Sequence, residues 1–415
     1  MYKQIAAVVI AVVMIATGCV FISSDSTEAV EMNDTTYETL TAAIDAAPID
    51  GTQVTISLTG NTTESITILS GKNIVLDLGI YTLTNTPGQH TISVQEGATL
   101  IIEGTGTIDN TSHARASIYN GYDDGPGGSV TINGGTITRS QENGSSSSNG
   151  GNSYYNILNS GVMIINDGAS VIQDGHYSSM ICNSGSGTIT DFERAYLTIN
   201  GGYFSGGLNT IKNDGACELI IYDGTFENNS QASVLSYEPT TIYGGTFTVT
   251  DDAVAVILNG CDDSPVSRGT LTIYGGTFNG PVGIQEMNRA GYEDQYNMGT
   301  IEVSGGIFNI TGSVFNVIND PSPSITVYGG TFVESIDESW VADGFEIKVD
   351  ENGNTVIVES HIPPIIWDDD DEYVPPIVPV QPEDSGNDSV TVVACAAAAV
   401  VAALMAALLI LDRKR

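Results

Sequence analysis

Basic side chains are nearly missing from this sequence. Its 415 residues hold 12 Lys plus Arg against 50 Asp plus Glu, a formal charge of −38, and three of the twelve bases (Arg413, Lys414, Arg415) stand at the C-terminus. Neutralising phosphates takes clustered Lys and Arg, so nucleic acid is excluded as a partner, and so is an anionic lipid surface for the main body of the chain. Cysteine is scarce as well. Of five, Cys19 and Cys395 lie in apolar segments and Cys182, Cys217 and Cys261 outside them; an odd number rules out a complete disulfide framework and suits small buried core residues. The four histidines (His90, His113, His176, His361) show no metal-ligand spacing, and no Ser-His-Asp or phosphate-cradling signature is present. No catalytic residue, metal or cofactor is therefore expected, and the chain is not read as an enzyme.

Hydrophobic residues are not lacking: at 41% they suffice for a long core. Two apolar stretches set the expected compartment. Ile5–Ile22 follows Lys3 and precedes a polar segment, the layout of a secretory signal ending near Ala29, with an uncleaved N-terminal anchor as the alternative. Val390–Leu411 is 22 residues without a charge, long enough to cross a bilayer, and the basic tail that follows places itself in the cytoplasm. The expected organisation is a signal peptide at 1–29, an ectodomain at 30–360, a Pro/Asp-rich stalk at 361–388, a membrane span at 389–411 and a cytoplasmic tail at 412–415. Seven Asn-x-Ser/Thr sequons, at Asn33, Asn61, Asn110, Asn143, Asn228, Asn309 and Asn387, suit an exported chain in a glycosylating host.

A repeat fills the ectodomain: VTINGGTI ending at Ile137, LTINGGYF at Phe204, LIIYDGTF at Phe226, TTIYGGTF at Phe247, LTIYGGTF at Phe278, IEVSGGIF at Phe308 and ITVYGGTF at Phe332, with a degraded copy, SVIQDGHY, ending at Tyr177. Alternating apolar and polar residues, a glycine bend and an aromatic residue predict strand, bend, strand. Between these units an apolar residue stands two before an amide, as in Ile118/Asn120, Ile157/Asn159, Ile181/Asn183, Ile211/Asn213, Ile257/Asn259 and Val317/Asn319, with Ser236 and Gln285 in the same slot of two others. Stacked copies of Asn can form a hydrogen-bonded ladder. Units this short cannot bury a face alone and must stack into a solenoid.

These motifs resemble the pectin-lyase-like superfamily, and more narrowly the GGTF-repeat, adhesin-like surface proteins. The resemblance implies an all-β, right-handed, single-stranded parallel β-helix forming a rod. TYETLTAAIDAAPIDGTQVTISLTGN from Thr36 would be its N-terminal helical cap, and ESWVADGFEIKVDENGNTVIVES a C-terminal hairpin cap turning at Asn352 and Gly353. It says little about function, because the fold carries many functions.

Loop length varies mainly between an amide slot and the next glycine bend, so insertions gather on one side. That side carries Asp123, Asp124, Glu193, Arg194, Asp262, Asp263, Arg268, Arg289, Tyr292 and Tyr296, the expected binding residues. Asp123/Asp124 and Asp262/Asp263 lie several coils apart and cannot act on one sugar linkage. The expectation is a membrane-anchored surface protein whose loop face binds a glycan or the surface of another cell, its lipid contact confined to the C-terminal span. A ligand-free structural or sheath component and a tethered polysaccharide lyase or hydrolase are the alternatives.

Overall fold

A computed structural model describes residues 30–123, 125–148, 154–188, 191–261, 269–288, 299–318 and 323–360. The expected signal peptide, stalk, span and tail lie outside them. Among the described residues no helix is long and apolar enough to cross a membrane.

The structure is all-β. Its pairings link 32 strands into one network, nearly all of them parallel. Three ladders account for this. The first runs from Gln53–Leu58 to Ser324–Val327 and takes the LTI part of each repeat. The second runs from Thr62–Thr63 to Gly330–Phe332 and takes the GTF part. The third begins at Ile66–Ile68 and takes the amide slots. The chain visits each ladder once per coil, an arrangement consistent with a β-solenoid.

Alternation fixes what faces inward, since successive side chains of a strand point to opposite sides. Phe204, Phe226, Phe247, Phe278, Phe308 and Phe332 are fully buried and stack ring on ring at 4.6–5.1 Å, with interplanar angles of 5–17°. Burial of each ring is worth about 1.5–3 kcal/mol. The two glycines of the bend are required for different reasons. A Cβ on Gly275 would lie 2.6 Å from the carbonyl oxygen of Tyr243 in the previous coil, whereas Gly276 has φ +113°, which side chains avoid.

The amide column is present and wholly buried. Asn120 donates from Nδ2 to Asn159 Oδ1 (2.8 Å), Asn159 to Asn183 (2.7 Å) and Asn183 to Asn213 (2.9 Å). The same Nδ2 groups reach first-ladder carbonyls, Tyr196 from Asn159 and Glu218 from Asn183, which satisfies oxygens stranded inside the corner. Ser236 takes over with its hydroxyl to Thr240 Oγ1.

Register corrects the sequence reading in two places. The strand partners of Gly134 and Ile137 are Gly168 and Val171, so the fifth coil's unit is IINDGASV, and Gly175–Tyr177 belong to a connection. Opposite Asn259 stands Glu286, with Gln285 opposite Leu258 and Asn316 opposite Gln285. The slot thus holds a buried carboxyl group rather than an amide; Asn319 lies outside the described residues. Spacing misled because Thr277–Asn288 crosses two ladders as one continuous strand.

Both ends are covered. Helix α1 (Leu40–Ala46) is capped by the Thr39 side chain, and Glu64 accepts from the Leu40 and Thr41 N–H groups at 2.7 and 2.9 Å. At its other end the buried Lys72 donates to the carbonyls of Ile44 and Ala47 at 2.7 and 2.9 Å. Acid at the N-terminus and base at the C-terminus match the helix dipole. At the opposite end the hairpin Phe345–Val349/Thr355–Glu359 turns through Gly353 and pairs antiparallel with Gly330–Phe332, closing that ladder's edge. Residues 30–360 therefore carry a complete core and two caps, and form a compact unit with its own core.

Candidate functional site

All four long loops leave a third-ladder strand and enter a first-ladder strand, so they share one corner. They follow Ile118–Asn120, Ile181–Asn183, Ile257–Cys261 and Thr277–Asn288. Asp124, Asp262, Asp263, Arg268, Arg289, Tyr292 and Tyr296 lie outside the described residues. Asp123 is exposed in a tight turn, with φ +48°. Glu193 is exposed at the end of a two-stranded hairpin, Ser186–Thr188 with Asp191–Glu193. Arg194 is exposed but tethered, its Nη2 donating to the Cys217 carbonyl at 2.7 Å. Cys182 and Cys217 are buried free thiols, and burial pushes Cys182 up to about 12.

A second buried base, Arg139, lies in the connection between Ser129–Thr138 and Ile157–Asn159. It ties that connection down: Nη1 donates to the Tyr154 carbonyl (2.5 Å) and Nη2 lies 3.5 Å from Glu142 Oε1, the same oxygen that meets His113 Nδ1 at 3.0 Å. Burial, opposed by the Glu142 charge, lowers its pKa to about 10. Arg139 holds its own connection together through Tyr154 and Glu142, while Arg139 to the Ser112 carbonyl and Glu142 to His113 bind it to the previous coil, so the cluster is a clamp.

A second surface feature went unnoticed in the sequence. The residue just before each glycine bend forms a column on the outside of the stack. Backbone pairing runs from Asn200 through Tyr222, Tyr243, Tyr274 and Ser304 to Tyr328, each N–H donating to the first-ladder residue of the previous coil. Below Asn200 the column continues as amides, Asn200 donating to Asn166 (2.8 Å) and Asn166 to Asn133 (2.7 Å). Above it the phenols stack: Tyr222, Tyr243 and Tyr274 are spaced 5.0 Å apart, inclined by 9–10° and 48%, 46% and 51% exposed. Burial within the stack, and then its two neighbours, raise the Tyr243 pKa, so the hydroxyl stays a neutral donor.

A groove of about 510 Å³ runs beside this column. Glycines 244, 245, 275, 276 and 306 form its floor, and Thr246, Thr277 and Ile307 its other wall. From the column side Tyr222 and Asp223 line the groove, and the faces of Tyr243 are spent on its two neighbours. A separate hollow of about 500 Å³, at the corner between the second and third ladders, is lined by Asp174, Ser205, Glu227 and Thr248; Tyr203 donates to Glu227 there at 2.7 Å. The signal for the column was in plain view, as the Tyr of TIYGGTF, but only stacking shows that its copies form one strip. Comparison with family models, curated proteins and solved structures returns no match for this chain.

Proposed function

We propose that this chain is a surface-displayed binding protein for neutral carbohydrate. In this reading residues 1–29 direct export and 389–411 anchor the protein in a membrane with its coils outside. The coils wind right-handed as a single-stranded parallel β-helix of the adhesin-like kind, and residues 361–388 act as a stalk. The single observation that carries the reading is the exposed phenol column of Tyr222, Tyr243 and Tyr274 beside a groove floored with glycine. Its 5.0 Å repeat is comparable to the advance of one pyranose unit along an extended polysaccharide. Tyr222 and Asp223 on one side of the groove and Thr246 and Thr277 on the other supply hydrogen bonds, and the phenols of Tyr243 and Tyr274 stand beside it. Each contact is weak, and repetition along one strip makes the binding multivalent. A charge of −38 disfavours anionic sugars. Loop residues Asp123, Glu193 and Arg194, with Asp124, Asp262, Asp263, Arg268, Arg289, Tyr292 and Tyr296, are the proposed second contact surface, toward another cell.

The test is a glycan array probed with residues 30–360. Binding of neutral oligosaccharides that weakens when Tyr222 and Tyr243 are both changed to Ser supports the reading. A fragment with an intact β-type circular dichroism spectrum that binds no glycan and no cell overturns it, leaving a structural role.

A further inference from the structure

The phenol column has a gap. Strand register places Ser304 where its neighbours carry Tyr274 below and Tyr328 above, and Ser304 is exposed. Coil spacing at this level is given by the interior rings, 4.6 Å for Phe278–Phe308 and 4.8 Å for Phe308–Phe332. Tyr274 and Tyr328 therefore stand two spacings apart, with one small hydroxymethyl group between them. The ring of Tyr328 is braced by the C-terminal cap, edge to face with Phe345 at 5.7 Å and 84°. Tyr274 is the most exposed of the three stacked rings. The groove ends at this level, on Gly306 and the exposed Ile307.

We infer that the gap over Ser304 is a binding slot for a single pyranose ring of a neutral glycan, held between Tyr274 and Tyr328. This rests on the carbohydrate reading above and assigns it a specific subsite. The gap is one ring wide. Half of the two-coil separation lies at about the 4.5 Å lower end of the centroid distances favoured between stacked rings. A chair pyranose carries C–H groups on both faces and so reaches both walls, and unlike an apolar flat ring of the same width it also brings hydroxyls to the polar base. Ser304 lies at the base as a hydrogen-bonding group for a ring substituent, and Ile307 adds an apolar side. Both faces of Tyr243 are covered by Tyr222 and Tyr274, whereas the gap over Ser304 is flanked by a ring on each side, so this slot is where a sugar gains contact with two ring faces and where the groove's occupant is fixed in register.

The experiment uses residues 30–360 and saturation-transfer NMR titrations with cellopentaose, mannopentaose and chitopentaose, with trigalacturonate as the anionic control. Ser304→Tyr fills the gap and completes the stack. It is expected to weaken binding of the preferred oligosaccharide at least tenfold while the melting temperature holds or rises. Tyr243→Ser opens a second gap of the same width and is expected to raise the stoichiometry. If Ser304→Tyr binds as the parent does, the slot is overturned and the general carbohydrate reading stands. If the parent binds none of the three neutral probes and no neutral glycan on the array, both fall. Capture of a tyrosine-containing peptide in preference to sugars, abolished by Ser304→Tyr, overturns the assignment of the occupant.

Discussion

The carbonyl oxygen of Tyr243 sits 2.6 Å from the point a Cβ on Gly275 would occupy. One coil presses on the next at this spot, and the contact is backbone, which cannot swing aside. Gly275→Ala is expected to destabilise residues 30–360 by about 1–3 kcal/mol, the usual cost of overpacking a fitted site. Gly276→Ala costs a similar amount for a different reason, its φ of +113°. Urea midpoints of the two single variants and the double variant measure both.

Asn183 accepts from Asn159 and donates to Asn213 and to the Glu218 carbonyl, all without solvent. Asn183→Leu leaves buried groups without their partner and should cost about 1–3 kcal/mol for each group stranded. Asn183→Asp adds a pH signature. Burial raises the carboxyl pKa above its unfolded value, so the variant is most stable at acid pH, where it is neutral and can donate. Stability is lost as pH rises through the folded pKa. Denaturant melts at pH 4 and pH 8 separate the two variants.

His90 makes the opposite prediction for the native protein. Its Nδ1 accepts the Ala116 N–H at 2.9 Å and its ring lies against Tyr119 and Tyr154. Burial, followed by the Arg115 charge, lowers its pKa from 6.5 to about 4. Unfolding therefore takes up a proton between about 4 and 6.5, and stability falls as pH drops through that window. Asn offers an acceptor without a titrating group, so His90→Asn should flatten the slope there. Asp50, Asp337 and Asp350, held low by hydrogen bonds, act only below the ordinary carboxylate range.

The sequons divide by burial. Asn33, Asn61, Asn143 and Asn309 are exposed, but Asn110 and Asn228 are buried and their amides donate inside the coils. A glycan on either displaces those bonds. Glycopeptide mapping after expression in a glycosylating host should find sugar on some of the first four and none on Asn110 or Asn228 in folded material.

Much of this was legible in the chain because each coil states the same rule in few residues. The Asn159–Asn183 ladder follows from the repeated amide and the Phe stack from alternation plus a glycine signal, while both caps were expected from the resemblance alone. Two readings failed where one strand runs through a bend without a break. Val162–Gln173 hides its unit at Gly168 and Val171, and Thr277–Asn288 shifts the slot from Gln285 to Glu286. Arg139 was passed over because its partners Ser112, Glu142 and Tyr154 are up to 27 positions away. The phenol column was invisible for another reason: a tyrosine in a repeat reads as consensus until register turns its copies into neighbours.

The Phe stack has a bearing on how such a molecule varies. Its rings advance by 4.6–5.1 Å per coil regardless of which coil is considered, and each coil meets only the one before and the one after. Duplication or deletion of one whole coil then changes the length of the unit in a fixed step and leaves both caps untouched. It also inserts or removes a single letter in the outer column, an amide, a phenol or a gap. Under the carbohydrate reading proposed above, one genetic event would alter reach and recognition together, and the unit would serve as a ruler graduated by the groups of its outer column.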